Sequence, residues 1–142
     1  MIILIKNIDA ESFEDTVFEV DYWFHSYETI DEDMLMQFAK YDFLYGNSIP
    51  QPKFAFDFDF SASDVKLMGK YNSSIRITKD GIGFIAFSNK ELAEKISNMS
   101  DGGHAQIVGR PQLNSWLGRT SVQIMMDDIQ LSTPVNSILS LI

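Results

Sequence analysis

One stretch constrains the fold more than any other: Lys53-Phe54-Ala55-Phe56-Asp57-Phe58-Asp59-Phe60. Phenylalanine recurs at every second position, with Lys53, Ala55, Asp57 and Asp59 between. A side-chain period of two puts the four rings on one face of a β-strand and the polar groups on the other. This predicts a sheet with an aromatic face turned to a core.

The neighbouring segments fit such a sheet. Thr16–His25, rich in Val, Phe, Tyr and Trp, reads as a strand. Val65–Lys70, Ser73–Lys79 and Ile82–Phe87 read as three more, with Lys79-Asp80-Gly81 supplying hairpin chemistry. His104–Leu113 and Arg119–Leu131 form a last hairpin around Asn114–Gly118. Two helices interrupt the strands. Thr29-Ile30-Asp31-Glu32 has the form of a capping box, with Ile30, Met34, Leu35, Phe38 and Tyr41 following at helical spacing over 30–41. Ser88-Asn89-Lys90-Glu91 is a second box, opening a helix over 89–99 with Leu92, Ala93, Ile96 and Met99 on its apolar side, and Gly102-Gly103 ends it. Gly46, Pro50 and Pro52 mark a loop, and the tail Ser132–Ile142 has no clear period. The crossovers are mostly too short for parallel βαβ units, so the order predicts a mainly β fold: a small, partly open, mainly antiparallel barrel of five or six strands with inserted helices.

Length sets the scale. A chain of 142 residues has room for one domain, 1–142, with its core over about 16–131. At about 150 residues roughly two-thirds of the unfolded surface is buried. No apolar run approaches the ~20 residues that cross a bilayer, and the opening MIILIK is too short for a secretory signal. The absence of cysteine excludes disulfides and thiol chemistry and fits a cytoplasmic protein. With only two histidines, a buried zinc site is not expected.

The net charge of -9 argues against nucleic acid until it is divided. Residues 1–60 hold 3 Lys and Arg against 13 Asp and Glu, whereas residues 61–142 hold 8 against 7. Two windows of the second part contain no carboxylate. Val65–Lys79 carries Lys66, Lys70, Arg76 and Lys79, and Gly102–Met126 carries Arg110 and Arg119. An acidic protein can still present a locally positive groove; the plainer reading of the same cations is a solvated strand face.

Catalytic constellations are missing. Asp127 and Asp128 are adjacent in a strand, which would put them on opposite faces. Asp57 and Asp59 share a face that reads as solvated. His25 and His104 have no motif partner, and Gly81-Ile82-Gly83 sits at a hairpin rather than in a phosphate-binding turn.

The final hairpin carries a resemblance. Val108-Gly109-Arg110-Pro111-Gln112-Leu113-Asn114-Ser115-Trp116-Leu117-Gly118-Arg119, followed by Ser121 to Ile129, resembles the closing segment of the C-terminal OB-type domain of RecJ single-strand-specific exonucleases. Its Gly-Arg strand, Asn-x-Trp-x-Gly turn, Gln strand and acidic-Asp-Ile ending are all present. Gly46-Asn47 with Pro50-Gln51-Pro52-Lys53-Phe54 resembles the family's Gly-Asn-Pro-x-Pro-x-Phe loop. Met68-Gly69-Lys70 with Ile75-Arg76-Ile77 is similar to its Val-Gly-Lys strand and the basic strand after it, and Ile85-Ala86-Phe87 to its Ala-Phe strand end. Departures fall in the loop: Phe43-Leu44-Tyr45 stands where the family has Pro-Phe-Gly, and Ser48 and Ile49 are extra.

The resemblance covers about Phe18 to Leu131. It implies an OB-like domain that helps hold single-stranded DNA for a 5′-to-3′ exonuclease. The family's catalytic part uses Asp-His-His motifs with manganese or magnesium. No Asp-His-His occurs here, so neither cofactor nor catalysis is expected of this chain alone. Its expected partners are single-stranded DNA and a nuclease core or another DNA-repair protein, with no membrane.

OB barrels bind single strands through a basic groove and aromatic platforms. On that reading Lys66, Lys70, Arg76, Arg110 and Arg119 are candidate phosphate contacts, and Tyr71 and Trp116 candidate stackers. Each has a structural alternative: Trp116 covers the hairpin, Tyr71 packs at a turn, Arg119 caps the turn beside Gly118. The competing function is an acidic OB-like protein-interaction module without DNA contact, supported by the charge of residues 1–60.

Overall fold

The structure, a computed structural model, describes residues 2–5, 16–41 and 51–132. Phe43-Leu44-Tyr45, Gly46-Asn47, Ser48, Ile49 and Pro50 lie outside the described residues, as does the tail beyond Ser132. The elements are β1 (Ile2–Ile5), β2 (Thr16–Glu19), β3 (Tyr22–Phe24), α1 (Glu32–Lys40), β4 (Phe54–Phe60), β5 (Val65–Met68), β6 (Ser74–Lys79), β7 (Ile82–Ala86), α2 (Lys90–Ser97), β8 (Gly103–Trp116) and β9 (Arg119–Ser132).

Strands β1 and β2 pair as a separate hairpin, and the other strands form a seven-stranded sheet in the order β3-β4-β8-β9-β7-β6-β5. Its two edges do not meet, which makes it an OB-like, partly open barrel. Most neighbours are antiparallel; β3 lies parallel to β4 and β7 parallel to β9. Each parallel pair is joined by a crossover that contains a helix, as parallel pairing requires. The seventh strand arises because Thr16–His25 is not one strand. At Asp21 the chain turns out of the β1–β2 hairpin: the Asp21 amide donates to the Lys53 carbonyl at 2.8 Å, and its carboxylate accepts from the Lys53 amide at 2.9 Å. That clamp delivers Tyr22–Phe24 to the edge of β4.

Strand β4 follows its two-residue period. Phe54, Phe56, Phe58 and Phe60 are all buried in one cluster with Ile75, Ile77, Ile82, Phe84, Ile107 and Ile124 from the strands and Leu35, Ala39, Leu92, Ala93 and Ile96 from the helices. Phe56 meets Phe84 edge-on, with ring centroids 4.8 Å apart, a favoured aromatic geometry. Each fully buried ring contributes about 1.5–3 kcal/mol over its exposed state.

Both helices start one or two residues later than their capping boxes suggest. α1 is capped by Asp31, which accepts from the Met34 amide at 3.0 Å. Just before it, the Ile30 amide is held by Asp80, the turn residue between β6 and β7, at 3.1 Å. α2 is capped by Asn89, which accepts from the Leu92 amide at 3.0 Å. Ser88 is tied back to β6 instead, its amide donating to Ser74 Oγ at 3.0 Å. In both cases a long-range bond holds the chain just before the helix, and at Ser88 it takes the amide that the box would have used.

Candidate nucleic-acid interface

The outer face of the sheet carries a basic row. Lys66 on β5 stands opposite Arg76 on β6, Arg76 opposite Ile85 on β7, Ile85 opposite Met125 on β9, and Met125 opposite Arg110 on β8. Cross-strand partners share a face, so three candidate cations lie in one line across five strands, about 19 Å from end to end at strand spacing. Side-chain contacts trace the same line. Lys66, Met68, Arg76 and Thr78 border one shallow hollow. The Arg76 guanidinium lies against Gly83, where a Cβ would come within 2.7 Å of Nε. Gly83 pairs with Gln123, whose amide donates to Gln112 at 3.2 Å.

From Arg110 the line turns along the β8–β9 hairpin. The last β4 partner in β8 is Gly109, and the last β7 partner in β9 is Gln123. Beyond them the two strands continue as a ribbon. By alternation from Arg110 and Met125, Trp116 and Arg119 fall on the same face as the row, and they stand directly opposite each other at the tip. Trp116 is 73% exposed. The strands run farther than expected: the turn is only Leu117-Gly118, with φ of 50° and 77°. Two-residue turns with both φ positive match the twist of a hairpin, and glycine takes such a value without strain.

Lys70 and Tyr71 are not brought into the row. They occupy a turn of 3-10 helix after β5. Tyr71 borders a hollow against α2, with Leu67, Asn72, Lys90 and Ala93. Lys70 Nζ sits 5.4 Å from the Tyr71 ring centroid. Gly69, with φ 78°, turns the chain there and ends the alternation that would have kept Lys70 with Lys66.

A residue of opposite sign sits inside the row. Arg110 Nε donates to Asp127 Oδ1 at 3.1 Å, and Lys53 Nζ lies 3.8 Å from Asp127 Oδ2. Arg110 Nη1 also donates to Gln51 Oε1 at 3.0 Å. A β-bulge causes this placement. Val108 pairs with Asp128 and Gly109 with Met126, which leaves Asp127 as the extra residue. Strict alternation would have sent Asp127 and Asp128 to opposite faces. The bulge instead puts Asp128 opposite Val108 and lets Asp127 reach Arg110 on that same face. Gly109 makes it possible: a Cβ there would stand 2.6 Å from the Met125 carbonyl oxygen.

The far end of β4 is acidic. His104, on β8 opposite Asp59, is not the unpartnered histidine its sequence setting suggests. Its Nδ1 meets Asp59 Oδ1 at 2.6 Å, and its Nε2 meets Asp57 Oδ1. The three side chains are spent on one another, and among the described residues no group of three such side chains is arranged to hold a metal ion. Beside them Trp23, His25 and Tyr27 pile up, with centroids 4.4 and 5.4 Å apart. The Glu28 carboxyl is held below its ordinary value, first by the His25 amide and then by the Tyr22 hydroxyl. Tyr22 is raised by that same hydrogen bond. Carboxylates around this pile repel phosphate, so it makes a poorer platform for a nucleic-acid base than Trp116 does.

A family model described as the RecJ OB domain matches residues 25–128. Among solved structures, RecJ from Thermus thermophilus in complex with Mg2+ aligns at 17% identity with a TM-score of 0.52, over 71% of this chain and 15% of that one. The same protein in complex with Mn2+ aligns at 17% identity with a TM-score of 0.45, over 61% and 12%. The chain thus corresponds to a small part of those proteins. At 17% identity the likeness concerns the fold. No curated protein matches. No helix among the described residues is long and apolar enough to cross a membrane.

Proposed function

The chain belongs to the RecJ OB domain family, and from that premise we propose that it binds single-stranded DNA, holding it for a metal-dependent exonuclease core. The Asp-His-His motifs of such a core do not occur in these 142 residues, so the proposed role is positioning rather than cleavage. One observation carries the reading: Lys66, Arg76 and Arg110 share a face, and that face continues to Arg119 and Trp116 along the hairpin. Cations in line suit a phosphate backbone, and an exposed indole at the end of the line suits a base. The bound strand would cross β5, β6, β7 and β9 to Arg110 and leave along the ribbon.

The alternative, a protein-interaction module without DNA contact, draws on the pairing of Arg110 with Asp127 and on the acidic end of β4. Salt dependence separates the two. Affinity of the full chain for oligothymidylate should fall with salt. Arg110→Glu with Arg119→Glu should weaken binding about tenfold or more and flatten the slope by about 1.4, at about 0.7 per phosphate contact for single strands. Unchanged affinity in a folded double variant would favour the interaction module.

A further inference from the structure

A basic row that binds phosphate has no evident use for a carboxylate beside Arg110, where the line turns, yet a bulge delivers Asp127 there. We propose that Gln51, Lys53 and Arg110 form a discrete phosphodiester site, and that Asp127 is its resident occupant, displaced when a backbone phosphate arrives. The inference rests on the single-strand reading above and adds to it two residues, Gln51 and Lys53, and an exchange step.

The geometry supports an exchange rather than a permanent structural pair. Asp127 bridges two cations, one oxygen toward Arg110 Nε at 3.1 Å and the other toward Lys53 Nζ at 3.8 Å. A carboxylate and a phosphodiester both offer two acceptor oxygens with a shared negative charge, so either can satisfy the same donors. Gln51 accepts from Arg110 Nη1, which orients the guanidinium plane without neutralising it. Both cationic side chains keep 39% of their surface exposed, leaving a phosphate access to them. The Asp127 side chain is less open, with 19% exposed, so an incoming phosphate replaces its bonds to the donors one for one. While paired, the donors stay ordered and lose little freedom on binding.

The test measures binding of the full chain to an oligothymidylate of about 16 nucleotides, the upper site size for one OB fold, across a range of salt. Asp127→Asn keeps the shape and removes the competitor. It should tighten binding about three- to tenfold at low salt and steepen the salt slope by about 0.7, the value of one further phosphate contact. The gain should vanish when Arg110→Gln is added. Asp101→Asn, the same charge change at an exposed position after α2, should leave affinity within about twofold, since distant exposed charges are screened. Lys53→Gln alone should weaken binding and flatten the slope, which keeps the site testable should Asp127→Asn fold poorly. If the wild type binds but Asp127→Asn binds no better, or Lys53→Gln changes nothing, the exchange site is wrong and the single-strand reading stands. If the wild type does not bind at low salt, that reading falls and takes this inference with it.

Discussion

The two ends of the outer face of β4 solve opposite problems with similar means. At one end Lys53 and Arg110 share a single carboxylate, Asp127. At the other, Asp57 and Asp59 share a single imidazole, His104. Lys53 and Asp59 are six residues apart on the strand, about 20 Å at 3.4 Å per residue. Among these described side chains cations outnumber carboxylates at one end, and carboxylates outnumber the imidazole at the other. A net charge of -9 therefore says little about where a phosphate chain can lie. A strand of DNA following β4 would run from attraction into repulsion. One following the row passes Asp127 at Arg110 and then runs out along residues 110–119, which contain no carboxylate. Local placement of charge decides direction, and total charge does not.

The strongest test of this division compares the inner face with the outer. Phe56 is fully buried between Phe24 and Phe84. Phe56→Ala should cost about 3–5 kcal/mol of stability by denaturant titration, the range for a large ring lost from a core. A loss under about 1 kcal/mol would mean that β4 does not anchor the barrel. On the hairpin the expectation reverses. Trp116→Ala should leave stability within about 0.5 kcal/mol, as for most exposed substitutions. It should cost about 1–3 kcal/mol of oligonucleotide affinity, the range for one stacked base. The salt slope should barely move, because stacking releases no counterions. A Trp116→Ala protein that melts early but binds normally would make the indole a cover for the hairpin.

How far these features are legible follows from what carries each signal. The Phe54–Phe60 strand shows in the sequence because a two-residue period is a local property. So does the Lys79-Asp80-Gly81 turn, where Asp80 and Gly81 take φ of 52° and 79°. Helix starts are displaced where distant residues hold the chain just before them: Asp80 takes the Ile30 amide, and Ser74 takes the Ser88 amide that a local box would have used. Carboxylate-free windows point to Lys66, Arg76, Arg110 and Arg119, but nothing local says that Gly69 turns the chain and takes Lys70 and Tyr71 out of the row. Lys53 and Gln51 escape notice because they precede a strand with two aspartates. Asp127 escapes because simple alternation fails across a bulge; Gly109 inside a strand is the available sign of one. His104 looks solitary because its partners lie 45 and 47 residues away, on a strand that only sheet pairing brings alongside.

The acidic end yields the smallest expected effect and the sharpest test of independence. His104→Ala would leave Asp57 and Asp59 on one face of β4 about 7 Å apart, at two strand residues, with their common partner gone. The Asp57 and Asp59 side chains are 24% and 44% exposed, so water takes over part of what the imidazole supplied. The loss should be about 1 kcal/mol, as for a typical hydrogen bond exchanged for water. Adding Asp59→Asn should recover part of it by removing the remaining repulsion. Single-strand affinity should change less than about twofold, because charges beyond about 8–10 Å are largely screened at physiological salt and the basic row lies farther away. A larger drop in affinity would show that the strand crosses the acidic end after all. The row ending at Trp116 would then be the wrong path, even if every cation in it proved accessible.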